Sequence, residues 1–190
     1  MKKNLILLGL LLLPAIVFAQ GTVQFANIST ALMTTNGASI GGGSGVTTGT
    51  QTYRVGLYVA PQGSINPAAF TLVGLATNGT VPVSNGRFNG GNPFVIAGNN
   101  GVIVAFQIRA WQLSAGNTYE EAIGINVYRG VSGIGEVTPA TGTQTTPALF
   151  GAGAGQLSSG FILVPNIPEP SSIALGILGL GAVALFRRKK

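Results

Sequence analysis

Turn-forming dipeptides recur through the middle of the chain and divide it into segments too short for most helices. They are Asn36-Gly37, Asn78-Gly79, Asn85-Gly86, Gly90-Gly91 and Asn100-Gly101. Asn and Gly tolerate the positive φ angles that tight hairpin turns require. Glycine accounts for 30 of the 190 residues, whereas the lysine and glutamate that favour helix interiors are scarce. The recurring turns and this composition predict an all-β domain built from short strands.

Between the turns, apolar and polar residues alternate with a period of two, which is typical of half-buried strands. The runs 53–60 and 102–111 show the alternation most clearly. Residues predicted to face a core are Val55, Leu57, Val59, Val102, Val104, Phe106 and Ile108. Residues predicted to face outward are Arg54, Tyr58, Gln107 and Arg109. Further strands are expected near 22–28, 70–76, 80–84, 94–97, 123–128 and 157–164.

The number and spacing of these strands predict a single antiparallel β-sandwich, jelly-roll-like in arrangement, over residues 20–165. A domain of that size buries roughly two-thirds of its unfolded surface, which is enough for a core. The chain contains no cysteine, so the core must form without disulfides. The glycine-rich stretch 41–45 is predicted to be a long loop. The stretch 138–155, rich in threonine, alanine and glycine, is predicted to be a mobile loop or a late irregular edge.

Residues 1–19 have the layout of a secretory signal peptide. Two lysines precede the apolar run 5–13, a proline breaks that run, and small residues follow. We expect cleavage between Ala19 and Gln20. The alternatives are a buried core helix or a retained anchor, but the apolar run is short for a membrane span, and the whole pattern favours cleavage.

Residues 166–190 combine a glutamate between two prolines, an apolar run and a basic cluster. The prolines keep Glu169 out of helices and sheet ladders and favour an extended, accessible segment. The run 171–186 is predicted to be a transmembrane helix, at the short end of the lengths that cross a bilayer. A basic stop of four residues, predicted to stay in the cytoplasm, follows it: Arg187, Arg188, Lys189 and Lys190.

Pro168-Glu169-Pro170, followed by an apolar helix and Arg-Arg-Lys-Lys, resembles the PEP-CTERM sorting signal of exported proteins in Gram-negative, biofilm-forming bacteria. The resemblance implies that an exosortase, a membrane-embedded cysteine protease, recognises Pro168, Glu169 and Pro170. The protein would then be transiently anchored in the inner membrane before it reaches the cell surface or the extracellular matrix. Members are often linked to exopolysaccharide, but their middle regions vary, so the resemblance implies a route and no activity. The alternative is a simple tail anchor without processing.

The charge distribution argues against a nucleic-acid partner. The net charge is +6, but the region between residues 20 and 168 contains four arginines and three glutamates, so its own net charge is near +1. The excess positive charge belongs to the two terminal segments, and the middle has no basic stripe.

Side chains that usually carry catalysis are rare. The chain contains no His, Asp or Cys, which excludes a Ser–His–Asp triad, a cysteine nucleophile and the usual zinc sites. Glu120 and Glu121 are adjacent and would point to opposite faces of a strand. The remaining enzymatic alternative is a glycosidase-type pair between one of them and Glu136. We therefore predict a non-enzymatic protein that uses no cofactor and no metal.

Aromatic residues supply one binding hypothesis. Trp111 and Tyr119, with the other tyrosines, are candidates for a face that stacks on a sugar ring, as in a carbohydrate-binding module. The alternative is that Trp111 closes the edge of the core. Both residues lie in the string 109–122, which is similar to a pattern in uncharacterised β-rich domains of other PEP-CTERM proteins. That similarity implies no activity.

Overall fold

The computed structural model describes residues 20–36, 44–49, 51–79 and 85–165. Over these residues the chain is almost entirely β-structure, with three short 3-10 helices at Pro67–Ala69, Leu113–Ala115 and Glu120–Ala122. The strands are β1 (Gly21–Ala26), β2 (Met33–Asn36), β3 (Ser44–Val46), β4 (Tyr53–Pro61), β5 (Thr71–Thr77), β6 (Asn89–Ile96), β7 (Val104–Gln112), β8 (Tyr128–Val137) and β9 (Phe161–Pro165). The prediction of an all-β domain is confirmed.

The described strands form two sheets. A seven-stranded sheet has the order β3-β2-β9-β8-β7-β4-β5, and β1 pairs with β6 in a second sheet. Neighbouring strands are antiparallel except β2 and β9, which run parallel. This pair corrects the predicted wholly antiparallel arrangement. It exists because β9, the last described strand, inserts between β2 and β8 instead of adding to an edge.

One face of the large sheet, the core face, packs against the β1–β6 pair. The fully buried side chains between them include Val23 and Phe25 of β1 and, from the large sheet, Val55, Leu57, Phe106, Ile108 and Leu163. Burying one such side chain stabilises a fold by about 1.5–3 kcal/mol. The predicted period of two is therefore confirmed for β4 and β7. Val102 differs from the prediction because β7 begins two residues after it, and its side chain is exposed.

Glycines within strands make room for rings. A Cβ added to Gly74 would lie 2.1 Å from the Phe94 ring, and one added to Gly90 would lie 2.1 Å from the Phe25 ring. The Phe25 and Phe94 rings meet edge to face with centroids 5.3 Å apart. Gly74 therefore makes room for a ring of the other sheet and Gly90 for a ring of the neighbouring strand, as strand glycines often do where another group approaches closely.

The stretch 138–155, predicted to be a loop or an irregular edge, contains turns, bends and isolated bridges, and it also contributes Leu149 and Phe150 to the core. Another predicted segment differs from the structure. The run 123–128, predicted to be a strand, forms turns and bends up to the start of β8, and Ile123 and Ile125 are exposed. The predicted strand 80–84 lies outside the described residues.

Within the described ranges, no helix has the length and hydropathy needed to span a bilayer. The run 171–186, predicted to be a transmembrane helix, lies outside those ranges.

Candidate functional site

The second face of the large sheet, here the outer face, is covered over β4 and β7 by residues 113–127, the cover segment. Ala115, Ala122 and Val127 of this segment pack against Tyr58 and Trp111 of the sheet. Three outer-face side chains that the sequence analysis placed in water are consequently buried: Tyr58, Gln107 and Arg109. Alternation alone could not show this, because it reports that two faces differ and not that a loop covers the second.

Arg109 is the centre of a polar cluster between the outer face and the cover segment. Its Nη1 donates to Glu120 Oε1 at 2.9 Å and its Nε donates to Gln107 Oε1 at 2.9 Å. Its Nη2 donates to the Pro67 carbonyl at 2.8 Å. The guanidinium carbon also lies 4.2 Å from the Tyr58 ring centroid. Every guanidinium nitrogen thus has an acceptor, which compensates the cost of burying the charge.

The rings around Arg109 form an aromatic cage that the chain fills itself. The Tyr119 and Phe70 centroids lie 5.6 Å and 6.0 Å from the guanidinium carbon, in addition to the closer Tyr58 ring. Such cages bind cations in many proteins. Here the cation is Arg109, so the cluster attaches the cover segment to the sheet.

Tyr58 also links the large sheet to the cover segment. Its hydroxyl donates to Glu120 Oε2 at 3.0 Å and accepts a bond from the Tyr119 backbone N–H at 3.2 Å. Burial raises the pKa of the Tyr58 hydroxyl to about 12, and the nearby Glu120 carboxylate adds to the rise, whereas the Tyr119 N–H opposes it. The phenol is therefore a neutral donor in the folded protein over the physiological pH range.

Alkaline pH is expected to destabilise the domain between about pH 10 and pH 12. In the unfolded chain Tyr58 ionises at its ordinary pKa of 10.0, whereas in the folded protein it stays neutral up to about 12. The stabilisation is complete below the lower value and is lost as pH rises through the higher one. Urea unfolding at successive pH values measures this loss. The free energy of unfolding of Tyr58→Phe should fall less steeply with pH in that window. Equal slopes for the two proteins would contradict a raised pKa of Tyr58 in the folded state. Tyr53, whose pKa is also raised by burial, leaves a residual slope in both proteins.

Trp111 and Tyr119 are brought together, but not as a platform. Trp111 is 0 % exposed, and its Nε1–H donates to the Gly116 carbonyl at 3.1 Å. The two rings meet edge to face with centroids 6.3 Å apart and an interplanar angle of 77°. This corrects the predicted glycan contact for Trp111, which has no ring face open to a ligand. Tyr119 is partly buried, and its predicted contact stays a prediction. The alternative placed Trp111 at the edge of the core, and the structure places it in an apolar cluster between the outer face and the cover segment.

The three glutamates of the domain have separate partners. Glu120 pairs with Arg109, while Glu121 accepts bonds from the Asn117 N–H and the Thr118 hydroxyl at 2.9 Å and 3.0 Å. Glu136 accepts a bond from the Gly63 N–H at 3.0 Å. Among the described residues, no group of three His, Cys, Asp or Glu side chains is arranged to hold a metal ion. Each carboxylate therefore holds a turn in place or joins two segments of the chain.

Two buried asparagines join the loops to the strands, a role that the sequence analysis did not assign. Asn27 donates to the Ala31 and Gly86 carbonyls and accepts a bond from the Phe88 N–H, each at 2.8 Å. Asn78 accepts a bond from the Tyr53 N–H at 2.8 Å. From the sequence, the dipeptide Asn78-Gly79 was identified only as a turn. A single sequence does not show that the Asn78 side chain accepts a hydrogen bond from the backbone of a strand.

The residues that the sequence analysis assigned to sorting lie at the two ends of the domain. Gln20 is exposed directly before β1, and β9 ends at Pro165, three residues before Pro168. Ala19, the tripeptide 168–170 and the basic residues 187–190 lie outside the described residues, so their predicted roles stay predictions.

The described site thus defines a β-domain whose buried polar groups are used for its own packing, joined to a C-terminal addressing segment. Residues 166–190 match the family model of the PEP-CTERM protein-sorting motif. The chain therefore carries a PEP-CTERM motif, the signal of exported proteins that an exosortase sorts, and the sequence-based resemblance is confirmed. No curated protein and no solved structure matched the chain.

Proposed function

We propose that this protein is a non-enzymatic surface or matrix protein, processed by an exosortase at the inner membrane and associated with exopolysaccharide after release. The PEP-CTERM motif at residues 166–190 carries the proposal. The signal peptide exports the domain, the apolar tail holds it at the membrane, and cleavage near Pro168-Glu169-Pro170 separates domain from tail.

A passive role for the domain is supported by how its reactive groups are used. The buried cation Arg109 is paired and caged by the chain's own side chains. The one tryptophan is buried, and the glutamates brace turns. We infer that the β1–β6 pair and the seven-stranded sheet form the two layers of a β-sandwich, which presents loops outward without a reaction centre.

Replacing Pro168, Glu169 and Pro170 together with alanine is expected to leave an uncleaved, membrane-retained protein. The alanines remove the fixed extended backbone and the carboxylate that a protease site would select. Mass spectrometry of the protein from its native host, with immunoblots of membrane and medium fractions, gives the processed ends. The control replaces Ser171 and Ser172 with alanine, next to the tripeptide, and should mature normally. Normal maturation of the triple variant would refute exosortase sorting through this motif.

A further inference from the structure

The described residues cover the outer face only in part. Beyond the cover segment and near one end of the sheet, β8 and β9 expose Val131, Ile162 and Val164, which are 43 %, 56 % and 45 % exposed, and Ile134, 40 % exposed, lies farther along β8. Strand register places them on one face: Val131 pairs with Arg109, whose side chain is on the outer face, and Ile162 and Val164 alternate with the buried Phe161 and Leu163. The cover segment adds Ile123 and Ile125, 55 % and 42 % exposed, just before β8 begins. The five exposed side chains at 123, 125, 131, 162 and 164 are here named the exit patch.

The exit patch lies toward the end of the sheet at which β9, the last described strand, ends. Tyr128, the first residue of β8, pairs with Pro165, the last residue of β9, and Arg129 pairs with Val164. Ile125 precedes Tyr128 by three residues, so the exposed part of the cover segment leads into the same end of the sheet. Clusters of exposed apolar side chains usually mark a contact surface.

We propose that the exit patch rests on the outer surface of the lipid bilayer while the tail still anchors the protein. This inference rests on the proposed function, since it needs the tail in the membrane. Between Pro165 and the apolar run that begins at Ser171 the chain has five residues, which reach about 20 Å when fully extended. The end of the sheet that bears the exit patch therefore stays close to the membrane surface.

The charged groups near the exit patch are held by partners within the domain. Arg129 lies on the outer face opposite Val164, and its guanidinium donates to the Tyr119 hydroxyl at 3.1 Å, so its positive charge is fixed beside the patch. Glu120 and Glu121, which precede Ile123, are bonded to Arg109 and to Asn117 and Thr118. The carboxylate of Glu136 is at the other end of β8, opposite Ala105 in β7. Apolar side chains with a flanking cation are the composition that interfacial membrane contacts use.

The experiment uses the full chain, which contains no cysteine, so one introduced cysteine is a unique labelling site. Ile162→Cys and Val164→Cys carry an environment-sensitive fluorophore, and the matched control is Gln62→Cys. Gln62 is exposed in the turn after β4, at the opposite end of the sheet from the exit patch. Each protein is reconstituted into vesicles of phosphatidylethanolamine and phosphatidylglycerol, with or without a quencher attached to the lipid.

Labels at 162 and 164 are expected to emit at shorter wavelength and to be quenched several-fold more by the lipid-bound quencher than the label at 62. Equal, weak quenching at all three sites in vesicles that carry the chain would overturn the inference and leave the proposed function intact. Crosslinks between copies of the unlabelled Ile162→Cys protein, without lipid quenching of its labelled form, would assign the surface to a second copy and also overturn it. If the chain fails to float with the vesicles, the membrane-anchored form is refuted, and this inference with it.

Discussion

Replacing Arg109 with methionine is expected to lower the free energy of unfolding by about 3 kcal/mol. Methionine keeps most of the side-chain stem, so the loss comes from the three bonds to Glu120, Gln107 and the Pro67 carbonyl. Gln107 is a buried acceptor that loses its donor, which costs about 1–3 kcal/mol, whereas the Glu120 carboxylate, whose side chain is 53 % exposed, becomes hydrated and adds less. Urea unfolding followed by circular dichroism measures the difference.

The matched control for this variant is Arg54→Met. Arg54 lies on the same outer face, opposite Trp111 in β7, but its hydrogen bond goes to Asn117 at the exposed edge of the cover segment. An exposed contact of this kind contributes less than about 1 kcal/mol. Equal losses in the two variants would mean that the Arg109 cluster does not hold the cover segment to the sheet.

Trp111→Ala is expected to cost about 3–5 kcal/mol, the range found for large aromatic side chains removed from cores. The ring is fully buried, and its Nε1–H is bonded to the Gly116 carbonyl. Neighbouring strand β4 places Gly56 under it, where an added Cβ would lie 3.2 Å from the indole. The cavity left by alanine cannot be filled by this glycine. Thermal and urea unfolding measure the loss.

Leu113→Ala serves as the control for the tryptophan, because Leu113 begins the cover segment and is substantially exposed. It should cost well under about 1 kcal/mol, as surface substitutions usually do. Trp111→Phe should fall between the two, since it keeps a ring and loses the hydrogen bond. A Trp111→Ala protein as stable as the native one would contradict the assignment of Trp111 to a packed cluster.

Strands with dense β-branched and aromatic residues could be predicted from the sequence. The predicted runs 53–60 and 70–76 correspond to β4 and β5 within one residue at each end, and Val102–Trp111 differs from β7 by two residues at its start. In β4 and β7 the residues that face the core, apart from the exposed Val102, followed from alternation alone. The sorting motif could also be identified from the sequence, because it depends on the local order of proline, apolar and basic residues and on no tertiary contact.

Other parts of the fold could not be predicted, for physical reasons. Strand β8 was missed because glycines at 130, 133 and 135 interrupt its apolar pattern, yet Gly130 is needed where the Ile162 carbonyl approaches to 2.3 Å from an added Cβ. The isoleucines at 123 and 125 gave a strand pattern without a neighbouring strand to pair with. The burial of Arg109 depends on a loop that lies over it, and one sequence carries no signal for that contact.

The position of β9 makes the large sheet depend on the last described part of the chain. This strand joins the β3–β2 pair to the four strands β8, β7, β4 and β5, and the residues that form it directly precede the sorting segment. Without Phe161–Pro165, the sheet consists of two parts that share no strand pairing. A truncation before β9 would therefore remove the connection between these two parts as well as the sorting segment.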